Sequence, residues 1–286
     1  MPRAAACGEP LRRRVELAVA VPLSYAETEH GLMLRTLKWG LLARLAAVFR
    51  VDRIILYETS LEPIDKESRE LALTVLRYLV VAPYLRKRVF PLTRLLRYAG
   101  VLPPLQLPTH GVGGPRVGEC RQALVVGKRG KRLVVDAGLG TPLAVWGGGS
   151  ARRGSIVLVE VVSVNPPRLR LGCPRPIYNG YSVEVVGGLR AAVDRGGEGR
   201  LVVATSRYGE VFSHSDAVRL FRGVREVVVL FGSPWRGLTE LAKAEGLELA
   251  RVVDRIWNTV PCQGTRTVRV EEAVAATLAL LNLYLG

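Results

Sequence analysis

Between Val15 and Tyr57 the chain runs strand, helix, strand, an order that admits few folds. Val15 to Val21 alternates and then turns wholly apolar before Pro22, the pattern of a strand covered on both faces. Leu34, Leu37, Leu41, Leu45 and Val48 then recur at helical spacing, with Arg35, Lys38 and Arg44 on other faces. Asp52 marks the end of that helix, and a second strand is predicted from Arg53 to Tyr57. A crossover of this length joins parallel strands, so the unit seeds a parallel sheet with helices packed on it. Asp65 reads as the cap of another amphipathic helix, through Leu71, Val75, Leu76 and Leu79 to about Ala82. Past Cys173-Pro174-Arg175-Pro176 the rhythm resumes, with strands predicted at Leu201 to Ala204, Glu226 to Phe231 and Val252 to Trp257. Helices are predicted at Ser213 to Arg222 and Thr239 to Glu245.

The middle of the chain differs. Pro103-Pro104, Pro108 and the glycines Gly111, Gly113 and Gly114 form a breaker-rich stretch without periodicity, which predicts a domain boundary. Short strand candidates follow at Ala123 to Val126, Leu133 to Ala137, Thr141 to Trp146, Ile156 to Val162 and Arg168 to Leu171. Their spacing predicts a small β-barrel of OB type over residues 106–173, inserted into a discontinuous α/β domain of residues 1–105 and 174–286. Its turns carry Lys128, Arg129, Lys131, Arg132, Arg152 and Arg153, a distribution suited to a nucleic-acid backbone. Arg86, Lys87 and Arg88 are further phosphate-contact candidates, although such a triplet serves equally as a solvated face. Trp146 is the only aromatic residue in 106–175, so contact with phosphates or folded shape is favoured over base stacking.

Charge points the same way. A net charge of +16 on 286 residues implies a polyanionic partner. Residues 106–175 hold 11 basic and 3 acidic side chains, whereas 231–286 hold 6 of each. Of the 41 basic residues 35 are arginine, which a thermophile or a GC-rich genome explains equally well. The apolar runs fall short of the roughly 20 residues that span a bilayer, and the arginine-rich N-terminus lacks a secretory core, so a cytoplasmic protein is expected. Cys7, Cys120, Cys173 and Cys262 stand far apart and read as reduced thiols. His30, His110 and His214 are scattered, and no metal site is expected.

Three stretches lie just past predicted strands: Thr205 to Glu210, Gly232 to Gly237 and Asn258 to Arg269. Open α/β sheets place ligands at that edge, so together they predict a pocket. The last stretch reads as a tight loop through Pro261 and Gly264 that opens a helix starting near Thr267 or Arg269, with Glu271 and Glu272 in its first turn. A dinucleotide fingerprint fails because Gly138-Leu139-Gly140 leads to a strand, and a Walker loop fails because Leu238 and Thr239 follow Gly237.

The motifs Ala204-Thr205-Ser206-Arg207-Tyr208-Gly209-Glu210, Phe231-Gly232-Ser233-Pro234-Trp235-Arg236-Gly237-Leu238 and Asn258 through Ala273 resemble the archaeal and eukaryotic RNA methyltransferase family of the SPOUT superfamily. Leu41-Leu42-Ala43-Arg44 through Asp52, and Tyr84-Leu85-Arg86-Lys87-Arg88 through Pro104, extend the resemblance over nearly the whole chain. It implies an α/β trefoil-knot domain with an inserted OB-like domain, a homodimer, and S-adenosylmethionine bound at the knot. Arg207, Gly232, Val260, Cys262, Gln263, Gly264 and Thr265 are the expected cofactor contacts. The eukaryotic members imply methylation of uridine N3 in ribosomal or other structured RNA. Arg266 or Arg269 would then stabilise the uracil anion, and Glu271 or Glu272 would accept its proton, although both glutamates serve equally as helix N-terminal charges. Cys262 stands where many members are expected to have glycine, so a positive φ there would strain it. That glycine also argues against covalent chemistry by the thiol. Two other readings stay open: a non-catalytic RNA-binding or ribosome-assembly factor, and a DNA-binding module.

Overall fold

The computed structural model describes residues 10–111, 113–194 and 199–285. Its elements run β1 (Glu16–Pro22), α1 (Leu32–Val48), β2 (Arg53–Tyr57), α2 (Lys66–Val80), α3 (Arg86–Val89), β3 (Cys120–Arg129), β4 (Arg132–Asp136), β5 (Leu143–Trp146), β6 (Ile156–Val164) and β7 (Pro167–Leu171). There follow β8 (Ser182–Val186), α4 (Leu189–Asp194), β9 (Arg200–Val211), α5 (His214–Leu220), β10 (Glu226–Leu230), α6 (Leu238–Ala244), α7 (Leu249–Val252), β11 (Arg255–Asn258) and α8 (Val270–Asn282). The chain divides into two compact units, one holding residues 13–77, 94–105 and the described part of 180–286, the other the described parts of 1–12, 78–93 and 106–179.

The larger unit carries a six-stranded, all-parallel sheet in the order β11-β9-β10-β1-β2-β8. β1, β2 and β10 are almost wholly buried, which is why their sequences run apolar rather than alternating. Asp65 caps α2 as expected, its Oδ1 accepting the Ser68 N–H at 2.7 Å, and that bond holds the carboxyl below its usual range. In α1 the leucine stripe is split, with Leu37 and Leu45 half-buried. The helix buries Thr36, Trp39, Leu42, Ala43, Ala46 and Ala47, while Leu34, Leu41 and Val48 are 42%, 41% and 54% exposed. Trp39 supplies the bulk, edge-on to Tyr25 at 5.0 Å, and the alanines let the helix lie close to its neighbours. β8 and α4 were not expected, although Val183 and Val185 alternate with polar residues as an edge strand does.

The smaller unit is built on a five-stranded antiparallel sheet, order β5-β4-β3-β6-β7, whose edge strands β5 and β7 approach each other and nearly close it. Its core is Ala123, Val125, Leu133, Val135, Val145 and Val159. Cys120 and Cys173 form a disulfide here, which overturns the reading of them as separate thiols. Sequence spacing hides the pairing because strand register creates it: Cys120 opposes Glu160, Glu160 opposes Arg170, and the chain turns back just after β7. Among the described residues Cys262 is the free cysteine, and Cys7 lies outside them.

His110 is buried in this unit, with Nε2 donating to the Val80 carbonyl at 3.0 Å, and burial pushes its pKa down from 6.5 to about 4. Unfolding restores the ordinary value, so below about pH 6.5 the unfolded chain binds a proton that the folded chain refuses. Stability therefore falls as pH drops through that window, by about 2 kcal/mol at pH 5. Urea unfolding between pH 7 and 5 should show this loss, and His110→Gln should remove most of it.

Candidate functional site

β9, β10 and β11 lie side by side and parallel, so the segments at their carboxyl ends meet at one sheet edge. A cavity of about 750 Å³ opens there, within the range of small-molecule sites. Its wall takes Thr205 to Tyr208 from β9, Phe231 to Gly237 from the segment after β10, and Trp257 to Val260 with Gln263, Thr267 and Val268 from the end of β11 and the segment after it. Thr205 to Gly209 bulge out of the sheet as the expected loop does, and β9 resumes its pairing with β11 only at Glu210 and Val211, through Trp257↔Glu210 and Asn258↔Val211. Gly209 permits that pairing, since a Cβ there would stand 2.5 Å from the Ile256 carbonyl oxygen. Gly232 is confined in the same way, with the Arg236 carbonyl oxygen 2.8 Å from where a Cβ would sit.

The last segment is tied to β9 at both ends. Asn258 Nδ2 donates to the Arg207 carbonyl at 2.9 Å, Asn258 Oδ1 accepts the Val260 N–H at 3.1 Å, and Arg207 Nη1 donates to the Arg266 carbonyl at 3.3 Å. Gln263 Nε2 reaches the carbonyls of Thr265 and Arg266 at 2.9 and 3.1 Å. Cys262 has φ +53°, the left-handed region that glycine tolerates and a side chain resists, at a cost of about 1 kcal/mol. The strain expected at this position is therefore present.

A buried carboxylate organises the wall after β10. Glu62, with its side chain 5% exposed, accepts from Ser24 Oγ at 2.6 Å through Oε2. Its Oε1 accepts from Ser233 Oγ at 2.6 Å and Arg236 Nη1 at 3.2 Å. Ser233 Oγ in turn accepts the backbone N–H groups of Trp235 at 3.2 Å and Arg236 at 2.9 Å, which folds the segment into a turn. Glu62 thus joins the segments after β1, β2 and β10.

Of the expected cofactor contacts, Arg207, Gly232, Val260 and Gln263 line the cavity, whereas Cys262, Gly264 and Thr265 are exposed outside its wall. Sequence reasoning passed over Tyr208 and Trp235, which line it with 83% and 52% exposure. Arg266 and Arg269 are exposed beyond the cavity wall. Arg269 caps α8, and Glu272 Oε2 accepts its N–H at 2.8 Å. Glu271 is 8% exposed, with Oε2 buried and unpartnered. Among the described residues no group of three or more His, Cys, Asp and Glu side chains comes together to hold a metal.

In the smaller unit Lys87, Arg129, Lys131, Arg152 and Arg153 are exposed. Arg86 is engaged structurally, donating to the Val81 and Leu79 carbonyls at 3.0 and 3.2 Å and stacked 4.5 Å from the Tyr78 ring centre. Arg88 pairs with Asp136 at 2.7 Å, and Lys128 Nζ donates to the Gly149 carbonyl at 2.8 Å. The Arg132 guanidinium lies 4.3 Å from the Trp146 ring centre.

Residues 16–281 match the model of a family described as "Putative RNA methyltransferase". An uncharacterized protein of Halobacterium salinarum is 37% identical over 93% of this chain and 98% of its own length. One of Haloarcula marismortui is 35% identical, also over 93% and 98%. The human protein named 28S rRNA (uridine-N(3))-methyltransferase is 30% identical over 98% of this chain and 81% of its own length.

Glu62→Gln would face Ser233 and Arg236 with a neutral amide in place of a carboxylate. The loss of charge-assisted bonds predicts destabilisation by about 1.5–3 kcal/mol and faster amide exchange across 232–237. Denaturant unfolding and hydrogen exchange measure both, and unchanged exchange there would remove Glu62 from its organising role.

Proposed function

The chain belongs to the "Putative RNA methyltransferase" family, and from that premise we propose that it is an S-adenosylmethionine-dependent methyltransferase acting on N3 of a uridine in ribosomal RNA. The observation that carries the reading is the cavity at the carboxyl edge of three adjacent parallel strands, walled by the segments that hold the family motifs. The name of the human relative, a 28S rRNA (uridine-N(3))-methyltransferase, supports the uridine and the atom.

The residues present fit the cofactor. The cavity mixes apolar wall, from Phe231, Trp257, Val260 and Val268, with backbone groups and the Arg207 guanidinium, which suits an adenosyl group carrying a charged amino-acid tail. Gly232 lets the wall after β10 close its turn, since a Cβ there would meet the Arg236 carbonyl oxygen. When bound, S-adenosylmethionine supplies a methyl group on a sulfonium sulfur, whose leaving group is a neutral thioether. The chain must hold uracil N3 in line with that methyl group, exclude water and take up the N3 proton. Arg266 and Arg269, exposed at the end of the last segment, offer positive charge to the uracil carbonyl oxygens as N3 is deprotonated. We assign the proton to the exposed Glu272 rather than to Glu271, whose carboxylate is shut away from the RNA.

Further parts of the proposal rest on single features. A trefoil knot at the C-terminus is supported by the ties of the last segment to β9 and by the return of α8 to α1. Homodimer formation is supported by the exposed stripe of Leu34, Leu41 and Val48 on α1, an apolar face that water does not favour. A cytoplasmic location fits an enzyme of RNA, and among the described residues no helix is long and apolar enough to cross a membrane. We further propose that the smaller unit is an OB-like RNA-binding domain, as its near-closed antiparallel sheet and basic turns suggest.

Calorimetry tests the cofactor site. S-adenosylhomocysteine should bind at one site per chain and more weakly to Arg207→Ala, and sedimentation should show a dimer that Leu41→Glu converts to monomer. Absence of any binding heat from S-adenosylhomocysteine would overturn the methyltransferase reading in favour of an RNA-binding factor.

A further inference from the structure

We propose that the outer face of the antiparallel sheet around Trp146 is a stacking site for an unpaired nucleotide of the RNA. The inference rests on the RNA-methyltransferase reading and deepens it by naming the part of the substrate that this unit holds.

Strand register sets the geometry. Arg129 opposes Arg132, and Arg132 opposes Trp146, so the three form one row across β3, β4 and β5 on a single face. Alternation fixes which face it is, because Leu133 and Val145, the next residues along β4 and β5, are buried in the core. Trp146 is accordingly 64% exposed. Its indole is oriented by the Arg132 guanidinium at 4.3 Å from the ring centre. The adjacent row on the same face is Gly127, Val134 and Ala144, all small or short. A Cβ built on Gly127 would meet nothing within 4 Å, so the far end of that row is uncrowded. A flat aromatic ring, braced by an arginine and bordered by small side chains, offers a π-face to a planar ligand.

The charge nearby selects the occupant. Lys128 and Arg129 at the end of β3, and Lys131, Arg152 and Arg153 in the turns, are exposed, and the 106–175 stretch carries 11 basic against 3 acidic side chains. A polyanion with planar groups meets both requirements, with its phosphates on the cations and a base on Trp146. In a duplex the base faces are consumed by stacking on one another, so the ligand must present an unpaired base. Arg132 is placed to serve twice, holding the indole through its plane and offering its N–H edge to a phosphate.

The test compares a short single-stranded RNA with the blunt duplex of the same sequence, both fluorescently labelled, at one fixed salt concentration. Trp146→Ala should weaken single-strand binding about tenfold or more while leaving duplex binding unchanged, and Trp146→Phe should restore most of the loss. Arg129→Ala should weaken both ligands and lower the salt dependence by about one ion. Unchanged single-strand affinity in Trp146→Ala, or an equal loss on both ligands, overturns the proposal. Binding of S-adenosylhomocysteine to the same variant should equal that of the wild type. If the wild type binds none, the enzyme reading falls while the stacking result stands by itself.

Discussion

The close approach of β11 to β9 is the contact on which the site depends. A Cβ at position 209 would stand 2.5 Å from the Ile256 carbonyl oxygen, so glycine is required for the last strand to pair along the far end of β9. That pairing carries the chain from Trp257 to Val268 past the carboxyl ends of β9 and β10, and the cavity forms between them. Cross-bonds from Asn258 and Arg207 then hold the segment in place. The strained backbone at Cys262 is tolerated because its neighbours on both sides are fixed.

Electrostatics divides the labour. The cavity walls come from stretches with balanced charge, and the buried carboxylate of Glu62 is spent on holding Ser24, Ser233 and Arg236 in place. The positive charge sits instead in the turns of the antiparallel unit and the strands around Trp146. A cavity kept near neutrality does not draw phosphates to itself.

Much of this was legible in the sequence because the signals were local. Central parallel strands such as β1 and β10 are covered on both faces and so run apolar, and the five antiparallel strands announce themselves by short alternation between basic and glycine-rich turns. The three stretches that wall the cavity were each recognisable as the end of a strand. What stayed hidden depends on distance or on choice between faces. Glu62 looks like an ordinary loop residue because Ser233 and Arg236 are 171 and 174 positions away. The return of Glu210 and Val211 to pairing with β11 after the bulge at 205–209 is a long-range contact that no local pattern announces. In α1 two apolar faces compete, and part of the leucine stripe, Leu34, Leu41 and Val48, is left outside. The disulfide needed the register of three strands before it could be seen.

The central claim is that the cavity at the edge of β9, β10 and β11 delivers a methyl group to a uridine held by this chain. The direct measurement incubates the purified protein with ribosomal RNA from a strain lacking it and S-adenosylmethionine labelled in the methyl group, then identifies the labelled nucleoside by mass spectrometry. The account predicts labelled 3-methyluridine, and greatly reduced labelling with Arg207→Ala. RNA that stays unlabelled, or label on a nucleoside other than uridine, would contradict it.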